Sequence, residues 1–512
     1  MPTTIRTRVL RIALGAVTLA ATIAFPFANP ASAQVTVDGA GSTWSQIAVD
    51  QWRADVARQG LTINYQGVGS TAGRVAYYQG QVDFAVSEIP FQSGADGGGV
   101  DEVAQAAARP YAYMPIVAGG TAFMYHLVVG GQRVEDLRLS PDTVSKIFTG
   151  KIKNWNDPQI SSDNRGRSFP SLPIKPVIRS DGSGTSAQFT AFMAAKTPGV
   201  WSEFCQSAGL GAGCPPTSLY PNPPGAGFAA QQFSDGVANF VAAPFNNGAI
   251  TYVEYGYAKE RGFPVASVLN AAGFFVQPTA QAVSIALQGA AINPDGTQVL
   301  AGVYDFADPR AYPVSSYSYM IVPTTETGPF NAGEGRAMGE FILYFLCAGQ
   351  QKSEQLGYSP LPKNLVEVAF GVVTRIPGAP APPALDQCAN PTITGDFISG
   401  AAPPPPEEDA LGAGGGGAGG PAGGAGAGAG GGAAAGGGAA GVIATETDAG
   451  TVYSDVLGGG SGSATLAAAR AVQGPGSGNL PLALYVLIVL AAGGLVFGIP
   501  ALGMALDKRK QQ

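Results

Sequence analysis

The chain has 512 residues, enough for about three ordinary domains by length. Its 74 glycines crowd toward the C-terminal end, so the foldable part is nearer to about 360 residues, which is ample for a core. A formal net charge of −7 excludes a general nucleic-acid binder, and an anionic ligand would have to be drawn by a local field.

The chain opens with Arg6, Arg8 and Arg11, an apolar run from Ile12 to Phe25, and the small-residue site Ala31-Ser32-Ala33. That order predicts a secretory signal over residues 1–33, with the mature chain starting at Gln34. Val35 to Gly39 is a strand candidate. Gly41-Ser42-Thr43-Trp44 then opens a helix, with Trp44, Ile47, Ala48, Trp52 and Val56 on one face. Gly60 ends it, and Leu61 to Tyr65 alternates like a strand. Gly67-Val68-Gly69-Ser70-Thr71 is a second glycine-and-hydroxyl turn before a helix over Ala72 to Gln79. Val82 to Val86 is a third strand, ending at Ser87-Glu88. The alternation predicts an α/β domain with a mainly parallel sheet. Ligands of such sheets sit beyond the carboxyl ends of the strands, where these turns lie.

Ser93 to Val100 reads as a loop. Met114 to Leu127 is apolar but broken by Gly119-Gly120, and is read as the passage to a second lobe. Pro141 to Phe148 is helical, and Thr149 to Asp157 a polar turn. Ile174, Val177 and Ile178 mark a strand that runs into Arg179-Ser180-Asp181-Gly182-Ser183-Gly184-Thr185-Ser186, followed by a helix-like run from Ala187 to Lys196. The first turn of a helix carries unsatisfied N–H groups and a positive partial charge. Gly182 and Gly184 let the backbone approach a ligand. Arg179 brings a planar fork suited to oxyanions, and Asp181 either holds that fork or accepts a proton from the ligand. One such turn alone is an ordinary helix cap. Three of them, one flanked by Arg and Asp, point to a small tetrahedral oxyanion held by N–H groups and by Thr43, Ser70, Ser183 and Thr185. Further on, Ile250 to Tyr255 and Pro313 to Val322 read as strands, and Gly339 to Cys347 and Asn364 to Val372 as apolar or amphipathic elements.

Four cysteines, Cys205, Cys214, Cys347 and Cys388, predict two disulfides in an oxidising compartment. Pairing of nearest neighbours is one of three connectivities. No spacing resembles a zinc site, so no metal or cofactor is expected. The single histidine, His126, sits in an apolar segment and reads as a packing residue rather than a partner of Ser183. The glycine turn also lacks the lysine of a nucleotide-binding loop, and no enzyme is expected.

Residues 398–480 form a Pro/Gly/Ala-rich stretch, including Pro403 to Pro406 and the nearly pure Gly/Ala run from Gly412 to Gly441. It cannot bury enough apolar surface to offset chain entropy and is expected to be a disordered tether. Pro481 to Leu506 carries no charge and exceeds the about 20 residues that cross a bilayer. Asp507-Lys508-Arg509-Lys510 follows, which places the tail, 507–512, in the cytoplasm. The expected topology is signal, exported domain, tether, single membrane-spanning helix and inner tail.

Six blocks carry a resemblance. Val37 to Trp44, Asn64 to Ser70, Val82 to Glu88, Gly150 to Trp155, Arg179 to Ser186 and Tyr252 to Lys259 are similar, in order, to the phosphate-binding protein of the high-affinity phosphate ABC transporter. They span most of the chain from Val35 to about Leu361. The resemblance implies a two-lobed periplasmic-binding-protein fold (type 2) over residues 34–397. Lobe 1 would take roughly 34–115 and 265–397, and lobe 2 roughly 116–264, closing like a hinged clamp. It implies contacts to phosphate from Thr43, the Trp44 backbone N–H and Ser70 in the first lobe. Arg179, Asp181, Ser183, Gly184 and Thr185 would supply the second. It also implies ABC transporter permease subunits as partners.

The family position at Glu88 is usually Asp, which accepts the proton of bound phosphate; sulfate has no proton to offer and would be repelled. Glu88 is one methylene longer. It is expected to receive that proton, to turn away toward Arg74, or to suit another oxyanion such as sulfate or molybdate. The plain reading is a solvated carboxylate at a strand end. Trp44 stands where the family often has Phe, a change that a backbone donor tolerates. The competing function is a tethered surface protein for sensing or adhesion that has kept the fold.

Overall fold

The computed structural model describes residues 35–93, 100–395, 397, 405–406 and 409–411. The expected signal (1–33), residues 94–99 of the loop, most of the expected tether (398–480), the expected span (481–506) and the tail (507–512) lie outside the described residues. Among the described residues no helix is long and apolar enough to cross a membrane.

Strands β1 (Thr36–Gly41), β2 (Thr62–Gly67) and β3 (Phe84–Ser87) alternate with helices α1 (Gln46–Ala57) and α2 (Ser70–Tyr78). β1 lies between its two neighbours and pairs in parallel with both, as strand–helix–strand connections require. Of the predicted face of α1, Ala48, Trp52 and Val56 are buried and Ile47 is half-buried, and Val49 joins them inside. Trp52 stacks on Phe345 with ring centroids 5.2 Å apart, and its indole N–H donates to the Gly349 carbonyl at 3.0 Å.

The expected break at Gly119-Gly120 is instead the middle of one long strand, β4 (Tyr111–Tyr125). Both glycines are there for clearance. A Cβ on Gly119 would lie 2.8 Å from the Trp44 ring, and one on Gly120 3.0 Å from the Tyr312 ring. β4 carries the chain into the second lobe. There β5 (Lys175–Arg179), β6 (Ala229–Gln231) and β7 (Ala249–Glu254) join helices α3 (Gly184–Lys196) and α4 (Phe233–Ala242). β8 (Ser315–Pro323) then returns beside β4.

The strand order is β2-β1-β3-β8-β4-β7-β5-β6. The sheet is mixed, which corrects the mainly parallel sheet that the βαβ alternation suggested. The flanking pairs are parallel, while β3–β8, β8–β4 and β4–β7 are antiparallel. The cause is the crossing: one strand leaves the first lobe and another comes back along it. Between Ser318 and Tyr319 the register jumps from Val117 to Pro115, so Ile116 has no register partner there, the signature of a β-bulge.

Helix α5 (Ala332–Leu346) starts well before the expected Gly339, because Asn331 and Glu334 form a capping box. Cys205 pairs with Cys214 and Cys347 with Cys388, the nearest-neighbour choice among the three connectivities. At the start of the expected tether, Ala410 bridges to Phe274 and Asp409 accepts a hydrogen bond from Arg138.

Candidate functional site

Arg179 ends β5 and is 2 % exposed. Its guanidinium forms a two-point pair with Asp181, Nε donating to Oδ1 at 2.7 Å and Nη2 to Oδ2. Of the two roles open to Asp181, it takes that of holding the arginine fork. Asp181 Oδ1 also accepts the Phe233 N–H at 2.9 Å. Phe233 has φ +63°, a left-handed conformation that a bulky residue rarely adopts. The turn it forces sets Ser234 against both lobes. Ser234 N–H donates to Thr43 Oγ1 at 3.2 Å, the two hydroxyl oxygens lie 2.9 Å apart, and Arg179 Nη1 reaches Ser234 Oγ at 3.4 Å. Ser234 escaped the sequence reading, although a serine after a short strand and at a helix start repeats the pattern of Ser70 and Ser183.

The turn after Arg179 meets the first lobe closely. The Gly184 N–H donates to Ser70 Oγ at 3.1 Å, and the Thr71 N–H to the Gly182 carbonyl at 3.2 Å. A Cβ on Gly184 would lie 1.9 Å from Glu88 Oε2, and one on Gly182 2.5 Å from Thr71. Here glycine is needed for close approach between two lobes. Ser183 is the N-cap of α3, its Oγ accepting the Ser186 N–H at 3.2 Å, and buried Thr185 stands in the same first turn. The Trp44 N–H donates to Ser42 Oγ at 3.0 Å, while the Trp44 indole packs edge-on to Tyr358. Thr43, Ser70 and Glu88 from one side thus meet Arg179, Asp181 and Gly184 from the other, with Ser183 and Thr185 in the same turn.

Glu88 is 1 % exposed, so the solvated-carboxylate reading does not hold. Nor does it turn toward Arg74, whose Nε donates to Glu102 at 2.8 Å and whose Nη1 donates to Ser87 Oγ at 3.1 Å. Glu88 accepts instead from the hydroxyls of Ser42 at 2.5 Å, Ser318 at 2.8 Å and Ser70 at 2.7 Å. His126 lies with Nδ1 3.0 Å from the Val241 carbonyl and its ring edge-on to Phe263, a packing role as expected. Among the described residues no group of His, Cys, Asp and Glu is arranged to hold a metal ion.

A second buried carboxylate lies where β7 ends. Glu254 caps the short helix Tyr255–Glu260, its Oε1 accepting the Gly256 N–H at 2.5 Å, and Gly256 packs directly on Gly357. Burial pushes the Glu254 carboxyl well above its ordinary value of 4.5. A folded-state value above the unfolded one means stability fully present below about pH 4.5 and lost as pH rises through the folded value. Within that window the loss is about 1.4 kcal/mol per pH unit. Glu254→Gln, which cannot ionise, should therefore gain stability relative to the parent as pH rises above about 5. Urea melts at several pH values measure this, and parallel curves for the two chains would refute it.

The PBP superfamily domain matches residues 28–348 of this chain. The phosphate-binding protein PstS2 of Mycobacterium bovis is 30 % identical over 352 residues, covering 66 % of this chain and 86 % of the relative. The phosphate-binding protein PstS of Xylella fastidiosa is 31 % identical over 349 residues, with the same 66 % and 86 % coverage. Among solved structures, an ancestral soluble variant of the Human Phosphate Binding Protein superposes with a TM-score of 0.51 at 21 % identity, over 68 % of this chain and 100 % of that one, a likeness of fold. With the two-lobed sheet, the paired turns and these relatives together, the chain belongs to the PBP superfamily and, within it, to the PstS phosphate-binding proteins.

Proposed function

We propose that the domain binds inorganic phosphate outside the cytoplasm and delivers it to an ABC-type importer. The observation that carries this reading is the meeting of the Arg179–Asp181 fork with Thr43, Ser70 and Glu88 across the two lobes, in a chain of the PstS family. Thr43, Trp44, Ser70, Glu88, Arg179, Asp181, Ser183, Gly184 and Thr185 make up the contact set. Arg179 supplies the positive charge and two-point geometry, and the first turn of α3 supplies N–H groups and a favourable dipole. The protein's work is binding and release, with no bond made or broken. Its partners are the permease subunits. Residues 1–33 direct export, 398–480 act as a tether, 481–506 span the membrane and 507–512 face the cytoplasm.

Calorimetric titration of the full chain in detergent with phosphate, arsenate and sulfate tests the reading. Heat of binding with phosphate is expected. A flat phosphate titration refutes it, and a stronger response to sulfate would make this the receptor of a different oxyanion.

A further inference from the structure

We propose that Ser42, Ser45 and Ser318 are positioning residues for the anion site: they clamp one carboxylate oxygen of Glu88 and so fix how the other meets the ligand. The inference rests on the phosphate reading above and adds to it what sets selectivity.

The two oxygens of Glu88 have different surroundings. Oε1 accepts from Ser42 Oγ at 2.5 Å and Ser318 Oγ at 2.8 Å, with Ser45 Oγ at 3.4 Å. Oε2 accepts from Ser70 Oγ at 2.7 Å and lies against Gly184 of the other lobe. A carboxylate oxygen has two acceptor positions. Both are filled at Oε1, whereas Oε2 accepts the Ser70 hydroxyl and faces Gly184 of the other lobe, which leaves its second position for a ligand. A ligand with a proton to donate satisfies that position, and one without a proton brings its charge against a carboxylate. Hydrogen phosphate and hydrogen arsenate are of the first kind, sulfate of the second.

The three serines forgo their usual roles to make this arrangement. Ser45 stands at the N-cap of α1 yet makes no capping bond; its hydroxyl lies 2.6 Å from Ser318 Oγ instead. Ser318 sits at the bulge between β8 and β4, the kind of irregularity that re-aims a side chain. Ser42 Oγ takes the Trp44 N–H at 3.0 Å while donating to Glu88. All three are buried, and so is the carboxylate. The main chain of Glu88 is held as well, its carbonyl accepting from Gln188 Nε2 at 2.7 Å and Gln298 Nε2 at 3.2 Å. The extra methylene of Glu brings the carboxylate between the serine nest on one side and Gly184 of the facing lobe on the other.

The test uses the full chain in detergent, titrated with phosphate and with sulfate at pH 7.5, and compares Ser318→Ala, Ser42→Ala and Ser318→Thr. Each alanine variant should lower phosphate affinity and the phosphate-to-sulfate ratio by about tenfold, the worth of one hydrogen bond to a charged group. Ser318→Thr keeps the hydroxyl and should hold the ratio near that of the parent. Alanine variants that melt at lower temperature with an unchanged ratio would reduce the nest to a structural feature and overturn the inference alone. A parent chain that binds neither anion overturns the inference together with the phosphate reading.

Discussion

Arg179→Ala should weaken phosphate binding by about 3–5 kcal/mol, the range for breaking a buried charged pair. Two effects add. The anion loses a guanidinium that is 2 % exposed and therefore little screened by water. Asp181 loses its two-point partner and, among the described residues, is left with the Phe233 N–H, so a carboxylate stands less compensated beside the incoming anion. The double variant Arg179→Ala with Asp181→Asn should recover part of the affinity, because it removes that second effect. Arg179→Lys should recover less than its charge suggests, since an ammonium cannot grip Asp181 through two parallel bonds. Calorimetry gives the affinities, and circular dichroism checks that each variant is folded. An Arg179→Ala affinity within twofold of the parent would remove this residue from the site.

The second large effect is on stability. Cys347–Cys388 closes a loop of 41 residues, and Cys205–Cys214 one of 9. Loop-closure entropy then assigns about 4 kcal/mol to the first bridge and about 3 kcal/mol to the second. Cys388→Ser should thus lower the melting temperature by several degrees. The effect exceeds entropy alone, because Cys388 is fully buried and the bridge ties the segment after helix α6 (Lys363–Val373) back to the end of α5. Neither Cys347 nor Cys388 belongs to the proposed contact set, so phosphate affinity at 25 °C should be unchanged. A thermal melt indistinguishable from the parent would show that the bridge constrains nothing that packing does not already hold.

Much of the site was legible because its parts are local. A strand end, a glycine and a hydroxyl within a few residues announce a turn, and Arg179 to Ser186 contains its own charge and cap. The α1 face was legible for the same reason, as a period within one helix. What escaped depends on distant segments. Ser45 and Ser318 are 273 positions apart, and Thr43 and Ser234 are 191 apart. No pattern inside either segment marks such a meeting. Gly119-Gly120 misled because a glycine that clears an aromatic ring is written the same way as one that breaks a strand. The left-handed turn at Phe233 was silent, since residues that favour that conformation are glycine and asparagine. The longer Glu88 side chain looked like a misfit until its far partner, Ser318, was in view.

The passage of β4 from one lobe to the other also has a mechanical side. β4 pairs with β8 over nine register positions and, beyond Gly120, with β7, so it is one continuous beam with the lobes at its two ends. Parting them twists the beam along its length, with a small change of backbone angle at each residue and an elastic restoring torque. Along the beam the ladder is interrupted at Ile116, opposite Ser318 and Tyr319. Ser318 is also one of the serines that hold the Glu88 carboxylate. The interruption of the ladder and the hold on the Glu88 carboxylate thus meet in one side chain.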